Sequence, residues 1–259
     1  MHKLNKHSAR ELILSLLLAI SMTLLFESCM IFNRILDEGK EQQTEIRDET
    51  YTIDSSTLLE SINQGGKDTF TLKTAIPNVY PSPSAVPVQW NQSDYLTIAQ
   101  AFYSVGWQDN LKDWELKNLY FGLKCSEITY GPQSAGFNYF KTEEKQDRVI
   151  RVLRHLFIAA NDNIAILSEI EYFPEITKWT SIKLPPKTIP VEIALQIADQ
   201  NGGAKFRERI ENNCSIYAEI SYGNYGEIWV ISYSGFENQK NELFRLEINA
   251  NTGEIIQEK

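Results

Sequence analysis

The stretch Phe244-Arg245-Leu246-Glu247-Ile248-Asn249-Ala250-Asn251-Thr252-Gly253-Glu254-Ile255-Ile256 decides the fold class. Phe244, Leu246 and Ile248 alternate with Arg245, Glu247 and Asn249, and a period of two puts the apolar side chains on one face of a strand and the polar ones on the other. Asn249 to Gly253 gathers turn-forming residues, with Gly253 where a left-handed backbone is needed, so the chain reverses and Glu254-Ile255-Ile256 returns as the next strand. The pattern is that of a half-buried antiparallel hairpin.

Upstream the same alternation recurs. Ile216, Ala218, Ile220 and Tyr222 alternate with Tyr217, Glu219 and Ser221, and Ile228 to Tyr233 reads as another strand. Before them Pro190 suits a helix first turn, Glu192 favours its positive end, Val191, Ala194, Leu195 and Ala198 form an apolar stripe, and Gly202-Gly203 stops the helix. An earlier segment repeats this order. Ser93 or Asp94 caps a helix carrying Leu96, Ala99, Phe102 and Tyr103, which leaves at Gly106. Trp114 to Ile128 and Phe137 to Phe140 are aromatic-rich, and Val149–Ile158 pairs as a hairpin with Ile164–Phe173 across Asn161-Asp162-Asn163. Ile158 to Asn163 aligns with Ile248 to Gly253 without a gap. The expected fold is α+β: two units, 91–183 and 184–259, each a helix packed on an antiparallel β-sheet, the first a degenerate copy of the second.

Residues 33–90 read as an acidic and then Pro-rich tether, because Pro77, Pro81, Pro83 and Pro87 lack backbone donors and favour extended chain. Ahead of it, Lys3, Lys6 and Arg10 precede the apolar run Leu12–Phe26, a secretory signal pattern. As a helix this run spans about 22 Å, short of a hydrocarbon core of about 30 Å. Three readings stay open: a signal peptide of residues 1–28, an uncleaved anchor continuing to Phe32, or a buried core helix. Basic residues before the run and acidic ones after it put the rest of the chain outside the cytoplasm in either of the first two cases.

Two resemblances follow from these residues. Ser28-Cys29 after the apolar run resembles a bacterial lipoprotein signal, which implies lipidation of Cys29, although Phe26 and Glu27 depart from the usual pattern. Residues 188–257 resemble a PepSY domain through the helix from Pro190 to Asn201, the strand Trp229-Val230-Ile231-Ser232-Tyr233 and the closing hairpin with Asn251-Thr252-Gly253. That family is associated with secreted or membrane-anchored proteins, as inhibitory propeptide segments or as sensory and regulatory modules. The resemblance implies no catalytic residues.

Composition narrows the function. A net charge of -9 and the absence of a basic stripe argue against nucleic acid as a partner. With 42% hydrophobic and 11% aromatic residues the chain can build a core. The three histidines are His2, His7 and His155, so an external imidazole site would rest on His155 alone, which reads as a satisfied surface or core residue. No CxxC, HExxH, GxSxG or phosphate-cradling Gly motif occurs, and no metal or cofactor is expected. Cys125 and Cys214 are either a disulfide or two buried small hydrophobes. Glu143 with Glu144, Glu169 with Glu171, and Glu219 with Glu227 are the carboxylate pairs that an envelope hydrolase would use. Tyr217, Tyr222, Tyr225, Trp229, Tyr233 and Phe236 form a candidate interaction face, core packing being the other reading. The expected function is a membrane-tethered extracytoplasmic module, not an enzyme, that binds an envelope protein or peptide in an inhibitory or sensory role. An envelope hydrolase and a purely structural envelope lipoprotein are the alternatives.

Overall fold

Alternating strands and two capped helices organise the molecule. The computed structural model describes residues 42–65, 73–75, 81–84, 87–145, 148–173, 179–184, 186–237 and 240–258. The signal or anchor segment and Cys29 lie outside these residues. In chain order the elements are β1 (Gln42–Thr52), α1 (Leu58–Gly65), β2 (Lys73–Thr74), α2 (Gln92–Gly106), β3 (Glu115–Lys124), β4 (Ser134–Lys145), β5 (Arg148–Ala159) and β6 (Ile164–Phe173). There follow α3 (Val191–Ala198), a kinked segment (Asp199–Gly203), α4 (Ala204–Arg209), β7 (Cys214–Gly223), β8 (Gly226–Glu237), β9 (Lys240–Asn249) and β10 (Ile255–Glu258).

All ten strands lie in one sheet, ordered β10-β9-β8-β7-β3-β4-β5-β6-β1-β2. This overturns the expectation of two units with separate helix-covered sheets. The join is β3 against β7, antiparallel from Asn118↔Ser221 to Lys124↔Ser215. Its physical reason lies in the strands themselves. Leu119, Phe121 and Leu123 on β3 and Ile216, Ala218 and Ile220 on β7 present buried side chains to the same side. Pairing the two removes two open strand edges, which would otherwise invite association with other chains. One residue beyond the last registered pair, Cys125 and Cys214 are joined by a disulfide with a Cα–Cα distance of 5.2 Å, so the join is covalent at one end.

Among the described residues the helices lie on one face of the sheet. Asn91 caps α2 by accepting from the Asp94 N–H, while the Asp94 carboxylate accepts from the Asn91 N–H. Asp94 is thus the partner in a capping box, and neither it nor Ser93 is the cap. Tyr95, Ile98, Ala99 and Phe102 turn the helix onto the sheet. At the start of α3 the Val191 N–H donates to the Gln92 side-chain oxygen at 2.7 Å, and the Gln92 N–H donates to Glu192 Oε1 at 2.7 Å. Each helix therefore supplies a capping group to the first turn of the other, and this lock joins the two sequence segments above the sheet. The second helix breaks where the glycine pair stands: Asn201 (φ -111°) and Gly202 (φ 120°) leave the helical region between α3 and α4. A Cβ at Gly202 would lie 2.8 Å from the Phe244 ring and one at Gly203 2.7 Å from the Tyr233 ring. The glycines allow close approach to the sheet.

The segment read as a tether is in part structured. β1 and α1 fall within it, and Tyr51, Ile53, Leu58, Ile62, Val88 and Trp90 belong to the core. The Asn161–Asn163 turn anchors this segment: Ser84 N–H donates to the Asn161 carbonyl, Val88 N–H to Asn161 Oδ1, Ile53 N–H to the Asn163 carbonyl, and Asn163 Nδ2 to the Ser82 carbonyl. Proline denies donors to a ladder but leaves carbonyls and extended chain free to dock on a turn.

Candidate functional site

The sheet face away from the helices is built from the other half of each alternation. On β3 it carries Asn118, Tyr120 and Gly122; on β4, Gly136 and Asn138; on β5, His155 and Phe157; on β7, Tyr217 and Glu219. Register brings these together, since Asn118 opposes Asn138, Asn138 opposes His155, and Tyr120 opposes Glu219. Side-chain hydrogen bonds then run across four strands. Asn118 Nδ2 donates to Glu219 Oε1 at 2.6 Å, Asn138 Nδ2 donates to Asn118 Oδ1 at 2.8 Å, and His155 Nδ1 lies 2.7 Å from Asn138 Oδ1. The Tyr120 hydroxyl lies 3.4 Å from His155 Nε2, and the Tyr217 hydroxyl donates to Glu219 Oε2 at 3.2 Å. Because Asn138 Oδ1 can only accept, the neutral His155 tautomer with its proton on Nδ1 satisfies both ring contacts. Burial holds its pKa down at about 4, so the ring is neutral at physiological pH.

Aromatic rings flank this chain. A Cβ at Gly136 would lie 2.0 Å from Tyr120 Cζ, so the tyrosine ring covers the glycine and depends on its lack of a side chain. Tyr217 lies 5.5 Å from Tyr120 between centroids, Phe157 6.5 Å and His155 6.1 Å, the last two near-parallel to it. At the β4–β6 end, Trp179 packs edge-on against Phe140 and Tyr172, with Lys117 Nζ 4.3 Å from its ring centroid. On the β8–β9 side, Phe236 (57% exposed) and Leu243 (63% exposed) stand on the same face.

The residues expected to form an interaction face do not share one. Tyr217 and Phe236 are on the helix-free face. Trp229 and Tyr233 point to the helix side and are fully buried, Trp229 donating to the Ile189 carbonyl at 2.9 Å and Tyr233 to Asp199 Oδ1 at 2.9 Å. Tyr222 lies on the helix side at the end of β7, and Tyr225 occupies the exposed β7–β8 turn. Strand alternation divides the six, since Trp229 and Tyr233 are separated from Phe236 by odd steps.

The carboxylate pairs are divided likewise. Glu143 and Glu144 are adjacent in β4 and so face opposite ways. Glu219 is on the helix-free face, whereas buried Glu227 is on the helix side, accepting from the Lys183 N–H at 2.9 Å and from Asn251 Nδ2 at 3.1 Å. Glu169 shares a face with Glu171 but is held by Arg154, 2.5 Å from Nε to Oε2. Arg154 also binds Asp109 at 2.8 Å and lies 4.1 Å from the Trp114 ring centroid. Sequence reasoning missed Asn118, Tyr120 and Asn138 as site residues. Each sits at a polar position of an alternating strand, and only the register between distant strands shows that they meet.

Together these features define an extended antiparallel sheet with helices on one face and a hydrogen-bonded aromatic and polar array on the other. No family model matches the chain, and no curated protein matches it. Among solved structures the chain is similar to a MaoC-like dehydratase from Phytophthora capsici at 13% identity, with 82% of this chain and 92% of that one covered. The TM-score is 0.19, too low to bear on fold or activity. Among the described residues no cluster of His, Cys, Asp and Glu is arranged to hold a metal ion, and no helix is long and apolar enough to cross a membrane.

Proposed function

We propose that the chain is a membrane-tethered extracytoplasmic module that binds a protein or peptide on the helix-free face of its sheet, in an inhibitory or sensory role and without catalysis of its own. The observation that carries this reading is the array on that face, where Tyr217, Phe236 and Leu243 supply exposed apolar and aromatic surface beside half-buried Tyr120 and satisfied polar groups. Tyrosine and phenylalanine at such positions match the composition of protein recognition surfaces. The Cys125–Cys214 disulfide supports an oxidising compartment, in line with export directed by the N-terminal apolar run. The resemblance of residues 188–257 to a PepSY domain supports a regulatory role. Tethering is through lipid on Cys29 or through the uncleaved anchor.

The test is capture after cross-linking in intact cells that make the full chain. Wild type and an Ile193→Asp variant on the helix surface retain the same partner. A Tyr217→Asp/Phe236→Asp variant loses it. Retention by the double variant would sink the proposed face.

A further inference from the structure

We propose that the helix-free face takes a basic side chain, lysine or arginine, from its polypeptide partner, seated against Tyr120, Tyr217 and Glu219. This rests on the binding role proposed above and names the chemistry the site selects. Glu219 is half-buried in the middle of the sheet, directly across from Tyr120 in register. Both its oxygens accept hydrogen bonds, yet both donors are neutral: the Asn118 amide and the Tyr217 hydroxyl.

Three other sheet carboxylates are ion-paired, while Glu227, which like Glu219 accepts from neutral donors, is buried on the helix side. Glu169 pairs with Arg154, Glu247 with Arg245, and Glu143 with Lys141, whereas Glu219 has no ion pair among the described residues. A carboxylate carries about four lone-pair positions, and Asn118 and Tyr217 use two of them, so acceptor capacity is left for a cation. Tyr217 is hydrogen-bonded to Glu219, and its ring lies 5.5 Å from that of Tyr120 between centroids. A cation near both gains from the ring quadrupole and from the charge together. Charge complementarity points the same way, since the chain carries a net charge of -9. His155, the other titratable group in the network, is neutral and does not oppose a cation. Asn118, itself held by the Asn138 amide, donates to Glu219 Oε1, so the acceptor is set in place before a ligand arrives.

The experiment is a fluorescence anisotropy titration of the full-length protein in zwitterionic detergent, with a labelled peptide of alternating lysine and glycine as probe and a glutamate-glycine peptide as control. The lysine peptide binds and the glutamate peptide does not, and binding weakens as salt rises from about 50 to about 300 mM. Glu219→Gln, which keeps the shape and the acceptor for Asn118, weakens binding about tenfold. Tyr120→Leu weakens it as well, and Glu247→Gln, whose acid already has Arg245, leaves it unchanged. Absence of lysine-peptide binding, or equal affinity for wild type and a folded Glu219→Gln variant, overturns the cation proposal. If the cross-linked partner is still lost in Tyr217→Asp/Phe236→Asp, the binding face stands without the cation. If the partner is retained there, both fall.

Discussion

Replacing Cys125 and Cys214 together by alanine tests how the sheet is held at its middle. The two cysteines are 89 positions apart in sequence and continue the β3–β7 register, so their bond closes a long loop across the join. In the chain-entropy treatment, a loop of about 90 residues stabilises by about 4.6 kcal/mol at 25 °C. Domains are stable by only about 5–15 kcal/mol, so this is a large share. With a urea dependence of about 3 kcal/mol/M, the unfolding midpoint falls by about 1.5 M. The matching drop in Tm is about 9–18 °C for a domain of this size. Trp90, Trp107, Trp114 and Trp229 are buried, so intrinsic fluorescence reports the transition. A midpoint within about 0.3 M of wild type would refute the reasoning. So would two or more free thiols titrated in the unreduced, unfolded wild-type protein, since Cys29 can supply at most one.

Three further outcomes are expected. Gly136→Val drives a side chain into the space of the Tyr120 ring and destabilises by about 1–3 kcal/mol, read as a lowered Tm, whereas Ser134→Ala on the same strand does not reproduce the loss. His155 has a folded pKa of about 4 against an ordinary 6.5, so the unfolded chain binds the proton first as pH falls. Its contribution is complete above about pH 6.5 and lost between there and about pH 4, by at most about 3 kcal/mol, and His155→Gln flattens that part of the stability profile in urea titrations. Arg154→Met leaves Asp109 and Glu169 without their shared cation and costs about 3–5 kcal/mol by thermal unfolding, while Arg209→Met, at an exposed ion pair, costs under about 1 kcal/mol.

What the sequence made legible was local. The β5–β6 hairpin forms across a turn in which Asn163 has φ 58°, and the β9–β10 turn places Gly253 at φ 77°. The α2 helix ends at Gly106, and its apolar spacing marks the buried stripe. These depend on neighbours a few residues apart, where side-chain chemistry and backbone preference act directly. The join between β3 and β7 was not legible, because the alternation of Leu119 and Phe121 specifies a buried face and says nothing about which edge pairs with which. The site network failed to show for the same reason: Asn118 and Glu219 are 101 positions apart, and their 2.6 Å hydrogen bond exists only once register is set. Gly202-Gly203 marked the break in the helix, at Gly202 with φ 120°, but not its second role in close approach to Phe244 and Tyr233. Pro81, Pro83 and Pro87 suggested a free tether, yet the carbonyl of Ser82 and the N–H groups of Ser84 and Val88 bind the Asn161–Asn163 turn.

The most direct test of the account places a photoreactive side chain at one position at a time in the full-length chain within its own membrane: at Tyr217 or Phe236 on the helix-free face, and at Ile193 or Glu208 on the helix surface. One discrete cross-linked partner is expected from Tyr217 and Phe236 and none from Ile193 and Glu208. A partner captured from the helix positions, with none from the sheet face, would contradict it.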